Sequence, residues 1–274
     1  MSLKDEIERA LPLAFGISGP LATPLVRPGT VDRLIATAIE RGVALFDTAP
    51  AYGDGEAERR LGCALTDQKD ILISTKAGLS SAGLRQRMRD FSPDGIERSI
   101  DKSMGRLGRP IDLLWLHGAA PEELTDTLLT RLDGRVRDGS VRYLGLAGRG
   151  AELEQGFERG PFSAVMLPVH AGLAGNAPAR VKAFRTAGAI TFAIEIMTPS
   201  HGQRRGLSTG ALWRIGRRAM RPTPPSSKPP ALAPAEALQW ALRDGGADIA
   251  VITTTRRDRL HSNIAMVQAM ADSH

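Results

Sequence analysis

Short apolar runs alternate with amphipathic stretches along most of the chain. The runs fall at 11–15, 43–48, 71–76, 111–117, 141–147, 164–169, 189–194 and 249–254. Several are almost continuously apolar, the pattern of parallel strands whose outer face is covered by helices. Between them lie stretches with helical spacing. Within 30–41, Val31, Leu34, Ile35, Ala38 and Ile39 recur three and four residues apart. Ser92-Pro93-Asp94 predicts a helix start, with a capping hydroxyl, a proline at the first helical position and an acid at the positive end of the dipole. That helix should run to Leu107 and stop at Gly108-Arg109-Pro110. Eight strand–helix units in 274 residues predict an α/β protein with a closed (β/α)8 TIM barrel, one domain over 1–274. The runner-up, a doubly wound open sheet, calls for a glycine-rich phosphate turn after an early strand. Residues 15–19 carry Gly16 and Gly19 but lack the third glycine at the required spacing. The Pro- and Ser-rich stretch 222–234 reads as an extended loop rather than a linker between domains.

Composition adds little to this picture until charge is considered. Apolar residues make up 42% and charged residues 24%, ordinary for a globular protein. No apolar run approaches the roughly 20 residues that span a bilayer. The first residues lack the charged and apolar regions of a signal peptide. Cys63 is the only cysteine, which excludes an internal disulfide and fits a reducing cytoplasm; on its predicted helix it is expected to be packed. The net charge is +6, and most Arg and Lys residues are spread along the chain among Asp and Glu. The exception is 202–234, which carries Arg204, Arg205, Arg214, Arg217, Arg218, Arg221 and Lys228 and no acid. This stretch suits a small anionic ligand, and equally a solvated loop. Trp213 is its only aromatic residue, so the stacking that single-stranded nucleic acid needs is missing and no nucleic-acid partner is expected. The five histidines show no paired ligand spacing, and no metal is expected. His170 follows the sixth strand, where a packed or solvated role is the default.

In a parallel barrel, reactive side chains sit at the C-terminal ends of the strands. Asp47 ends the second predicted strand, Tyr52 lies five residues on, Lys76 closes the third and His117 the fourth. One polar residue at a strand end is ordinarily just solvated. An acid, a phenol, an amine and an imidazole at three consecutive strand ends form a set that carbonyl reduction needs. Hydride transfer leaves an oxyanion that must be protonated, and a free phenol, with a pKa of about 10, is a poor acid near neutrality. An ammonium beside it stabilises the phenolate, and a carboxylate holds the ammonium charged and in place. Tyr52 is therefore expected as general acid, Lys76 as its tuner, Asp47 as the partner of Lys76, and His117 as a donor to the carbonyl. Trp115 shares strand parity with His117 and should point into the barrel as core filling.

The segments FDTAPAYGDGEAERRLG at 46–62, ISTKAG at 73–78, FSPDGIERSIDKSMGRLG at 91–108 and IDLLWLHG at 111–118 resemble the signature regions of the aldo-keto reductase family. The likeness continues through 121–148 and returns over 231–267. Within the family the first third looks most like aldose dehydrogenases. The resemblance implies a (β/α)8 barrel that transfers a hydride between NADP(H) and an aldehyde, ketone or aldose, with Asp47, Tyr52, Lys76 and His117 as the catalytic set. It also implies that Thr254, Thr255, Arg256, Arg259 and Asn263 hold the adenosine and its 2′-phosphate. The nicotinamide positions depart from the family pattern. Ala147-Gly148 stands where Ser-Asn is usual, Met166 where a Gln is usual, and Ile194-Glu195-Ile196 where an aromatic and Ser-Pro are usual. These losses leave a second reading open, a weakly active or non-enzymatic barrel that senses nucleotide or docks a partner. The rim segments 80–90 and 171–179 are expected to contribute to specificity.

Overall fold

The computed structural model describes residues 2–82, 86–197 and 232–271. The seven basic residues from Arg204 to Lys228, together with His201, Trp213 and His274, lie outside the described residues. The strands are β1 (Leu13–Gly16), β2 (Leu45–Asp47), β3 (Leu72–Ala77), β4 (Leu79–Ala82), β5 (Gln86–Arg89), β6 (Ile111–His117), β7 (Val141–Ala147), β8 (Ala164–Pro168), β9 (Ile190–Ile194) and β10 (Ile249–Ile252). All but β4 and β5 close into a parallel barrel in the order β1-β10-β9-β8-β7-β6-β3-β2. Each of the eight apolar runs is therefore a barrel strand, with ends within two residues of the expected ones.

Nine described helices accompany the strands: α1 (Leu3–Glu8), α2 (Pro28–Glu40), α3 (Glu56–Ala64), α4 (Pro93–Leu107), α5 (Asp126–Arg137), α6 (Glu152–Phe157), α7 (Ala177–Thr186), α8 (Pro234–Leu242) and α9 (Arg257–Ala271). The start of α4 is built as its sequence requires. Ser92 Oγ accepts from the Gly95 amide, Pro93 opens the first turn, and Gly108 ends the helix in the left-handed region at φ 71°. Cys63 departs from expectation. It lies on α3 but is exposed, because Leu61 and Gly62 take the buried face.

Strand alternation sorts the core into two parts. Outward residues such as Phe15, Phe46, Ile73, Leu114 and Leu116 pack with the helices. Inward residues Ala14, Leu45, Leu113, Trp115, Ala147, Ala164, Met166, Ile190, Phe192 and Ile249 fill the barrel, so it is a packed core and not a pore. Trp115 and Phe192 meet edge to face at 4.9 Å across this interior. Sequence pattern gave no sign of α1. It begins in a capping box between Ser2 and Asp5 and inserts Leu3 and Ile7 into the inner cluster, closing the N-terminal end of the barrel. Glu6 of this helix accepts from Arg142 and from the Tyr143 hydroxyl at the start of β7. The rim segment 80–90, expected as a loop, is the antiparallel hairpin of β4 and β5.

Candidate active site

The open end of the barrel is where β2, β3 and β6 present their last inward residues. Asp47 ends β2 and is registered with Ser74, so the two side chains project inward side by side. Asp47 Oδ1 accepts from Ser74 Oγ at 2.8 Å, and Asp47 Oδ2 accepts from Lys76 Nζ at 2.6 Å. Both members of the ion pair are almost fully buried. Lys76 Nζ also donates to the Thr48 carbonyl at 2.8 Å. Two of the three ammonium donors are thereby used, and the Tyr52 ring centroid lies 5.1 Å from the same nitrogen. Burial alone would push the Lys76 pKa down. The Asp47 carboxylate and Tyr52 outweigh it and hold the ammonium above its ordinary range.

Tyr52 is positioned by the turn that follows β2. Gly53 takes φ 63°, and a Cβ there would lie 1.9 Å from the Ala22 carbonyl oxygen, so only glycine allows this turn to press against the loop after β1. The rest of the 46–62 segment is a clamp. Glu58 is fully buried and accepts from Thr75 Oγ1 on β3 at 2.7 Å and from Arg106 of α4 at 2.9 Å. Arg60 donates to the Leu21 carbonyl at 2.7 Å and to Glu56 at 2.8 Å. These charged residues lie on the buried face of an amphipathic helix. That placement is the sequence signal that could have marked them as structural.

His117 closes β6 and is registered with Ala147. Its Nδ1 is buried without a hydrogen-bond partner among the described residues. Burial first, then the positive charges of Lys76, Arg87, Arg149 and Arg89, lower its pKa from 6.5 to about 3, so the imidazole is neutral in the physiological range. The Nε1 of Trp115 and the Nδ1 of His170 are likewise buried and unpartnered among the described residues. His170 has a lowered pKa because burial outweighs the opposing pull of Glu195.

Beyond β6 the rim changes character. Ala147, Pro168 and Ile194 at the strand ends, and Met166 one inward position before Pro168, present no hydrogen-bonding side chain, and polar groups appear one or two residues beyond the strand ends, on the loops. Arg149 after β7 pairs with Glu195 after β9, with Nε to Oε1 at 3.1 Å. Glu195 takes φ 58°, unusual for a residue with a side chain. At the end of β10, Thr253 Oγ1 donates to the Gly16 carbonyl at 2.9 Å and lies 3.1 Å from Ser18 Oγ. Thr254 and Thr255 follow, and Arg256 stands just before α9. Arg256 forms an ion pair with Asp258, while Arg259 is exposed and makes no side-chain hydrogen bond among the described residues. Asn263 is buried on α9. Among the described residues no group of three or more His, Cys, Asp or Glu could hold a metal ion.

These placements fit a nicotinamide dinucleotide in two ways. An unpaired arginine at the start of a helix suits a phosphate. The buried ring nitrogens Nε1 of Trp115 and Nδ1 of His117 and His170 lack partners among the described residues, which a polar ligand would supply.

A model of the Aldo/keto reductase family matches residues 20–171. The chain belongs to this family. It is 36% identical over 161 residues to a pyridoxal 4-dehydrogenase of Microbacterium luteolum, a match over 49% of this chain and 47% of that protein. It is 29% identical over 147 residues to an L-galactose dehydrogenase of Arabidopsis thaliana, over 50% of this chain and 44% of that one. The chain thus matches less than half the length of these two relatives. An aldo-keto reductase from Bacillus halodurans, solved in its holo form, superposes with a TM-score of 0.73 over 94% of this chain and 86% of its own, at 21% identity. That likeness concerns the fold, and it agrees with the closed barrel described above.

Proposed function

We propose that this aldo-keto reductase is a one-barrel cytoplasmic enzyme that uses NADP(H) to interconvert a carbonyl compound and its alcohol, the substrate being an aldehyde, ketone or aldose. The observation that carries the reading is the buried chain of contacts from Ser74 through Asp47 and Lys76 to Tyr52. When bound, NADP(H) supplies or takes up the hydride. Thr254, Thr255, Arg259 and Asn263 would hold its adenosine end, joined by Arg256 once that residue exchanges Asp258 for phosphate. Arg256 and Arg259 favour NADP(H) over NAD(H) because a guanidinium matches a 2′-phosphate.

The chain's own residues manage the proton. As the carbonyl carbon accepts a hydride, its oxygen gains charge, and the Tyr52 hydroxyl donates a proton to it. The phenolate left behind faces the Lys76 ammonium, which Asp47 and the Thr48 carbonyl hold in place. His117, being neutral, can donate a hydrogen bond from one ring nitrogen to the same oxygen without transferring a proton. In alcohol oxidation the phenolate takes the proton back.

The experiment that tests this is Tyr52→Phe. Turnover of aldehydes with NADPH should fall about 10²- to 10⁴-fold, while NADPH affinity by nicotinamide fluorescence stays as it was. Undiminished turnover would remove Tyr52 as the acid. A second reading is favoured by the apolar rim at Ala147, Met166 and Ile194: a nucleotide-sensing or partner-binding barrel without turnover. NADPH binding with no reduction of any aldehyde or sugar would select it.

A further inference from the structure

The hairpin of β4 and β5 stands over the rim beside His117. It leaves β3 at Gly78, whose φ of 94° permits the turn and where a Cβ would lie 2.2 Å from the Phe91 ring. In the hairpin, Arg89 is registered with Leu79 and Arg87 with Ser81. Residues two apart on a strand share a face, so Arg87 and Arg89 project the same way. That direction is fixed by Arg89, whose guanidinium donates to the Gly118 carbonyl at 2.8 Å, pairs with Glu123 and lies 4.5 Å above the Phe91 ring. The shared face therefore looks onto the residue that follows His117.

The charges around this mouth do not cancel. Lys76 is paired with Asp47, Arg89 with Glu123, and Arg149 with Glu195. Arg87 is exposed and has no ion-pair or hydrogen-bond partner among the described residues. Its charge nonetheless reaches His117, where it contributes to keeping the imidazole neutral. A rim arginine without a partner is ordinarily just solvated. This one is aimed, through the anchoring of Arg89, at the position where a substrate carbonyl would meet His117. It also stands away from the positions read as holding the cofactor phosphates. In the strand order, β6 lies directly across the barrel from β10, which leads into Thr254, Arg256 and Arg259.

The geometry points to a carbonyl substrate that carries a carboxylate, with Arg87 binding that anion at the mouth while Tyr52 and His117 take the carbonyl. This inference rests on the reductase reading above and specifies its substrate class. Arg87 is then a specificity residue, and the hairpin is the element that presents it.

The test compares 4-carboxybenzaldehyde with its methyl ester, two aldehydes that differ at the far end only in charge. With NADPH and the full chain, kcat/KM should favour the acid by about tenfold. Arg87→Gln should bring that preference close to one, through a higher KM for the acid, and Arg87→Lys should keep most of it. Raising the salt concentration should weaken the preference in the parent enzyme. Equal kcat/KM for acid and ester in the parent enzyme overturns the inference while leaving the reductase reading intact. So does an unchanged preference in Arg87→Gln. If neither aldehyde is reduced, the reductase reading fails, and recognition is then read by calorimetric titration of 4-carboxybenzaldehyde. Binding that disappears in Arg87→Gln supports the anion site, and equal or absent binding in both proteins overturns it.

Discussion

The two halves of the rim are built on the same strand alternation and hold opposite kinds of residue. From β2 through β6, the last inward positions are Asp47, Lys76 and His117. From β7 through β9, the corresponding positions are Ala147, Pro168 and Ile194. In the first half the polar groups come from strands and are fixed by buried hydrogen bonds, as in the Ser74–Asp47–Lys76 series. In the second half the charged groups Arg149 and Glu195 come from loops and satisfy each other. The difference teaches where this protein needs exact placement. Proton transfer tolerates little displacement, and in the proposed mechanism the groups that tune the Tyr52 phenol sit on rigid strands while Tyr52 itself sits in a turn held by Gly53 against the Ala22 carbonyl. A flat ring can be held by apolar surface and a few orphaned nitrogens, with charges moved outward.

The largest way to break this contrast is Lys76→Met. It leaves the Asp47 carboxylate buried with Ser74 and without its cation, which should destabilise the protein by about 3–5 kcal/mol and abolish measurable turnover. Denaturant unfolding and an aldehyde assay check both parts. Normal stability would mean that Asp47 protonates or gains water freely, and that the strand-borne half is less rigid than described.

His117 offers the next test, through pH. Its folded-state pKa is about 3 against an ordinary 6.5, so between these values the unfolded chain binds a proton that the native protein does not. Stability therefore rises with pH across that window and is lost as pH falls from 6.5 toward 3, by at most about 1.4 kcal/mol per pH unit. His117→Gln should flatten this slope in acid-unfolding curves. The same neutrality predicts that turnover with the parent protein has no acid limb near pH 6.5 arising from His117. An NMR titration of His117 with a midpoint near 6.5 would contradict both expectations.

Two changes at the proposed cofactor end of the rim sharpen the comparison with smaller effects. Arg259→Ala removes the unpaired arginine and should weaken NADPH binding about tenfold while changing NADH binding little. Asp258→Asn frees Arg256 from its ion pair and should tighten NADPH a few-fold, an effect reduced by salt. Fluorescence titrations with both nucleotides measure these shifts. Loss of NADPH and NADH binding alike in Arg259→Ala would assign that residue to the helix rather than to the 2′-phosphate.

The sequence by itself determined the barrel. Eight apolar runs separated by helical periodicity leave little choice of architecture, because each parallel strand must be covered by a helix. It also placed Asp47, Lys76 and His117 at strand ends, since the end of an apolar run is a local property. Even the cap of α4 at Ser92 was readable, because capping involves residues three apart. Tertiary structure alone decided what those residues touch. Nothing local to 46–62 says that Glu58 meets Arg106, 48 residues away, or that Gly53 must clear the Ala22 carbonyl. The segment 80–90 reads as a polar loop, and its pairing into a hairpin is fixed by the anchoring of Arg89 on Gly118 and Glu123, which no periodicity signals. The exposure of Cys63, the plug formed by α1 and the ion pair between Arg149 and Glu195 are of the same kind. Each depends on which surfaces the closed barrel brings within contact distance, and closure is a property of all eight strands together.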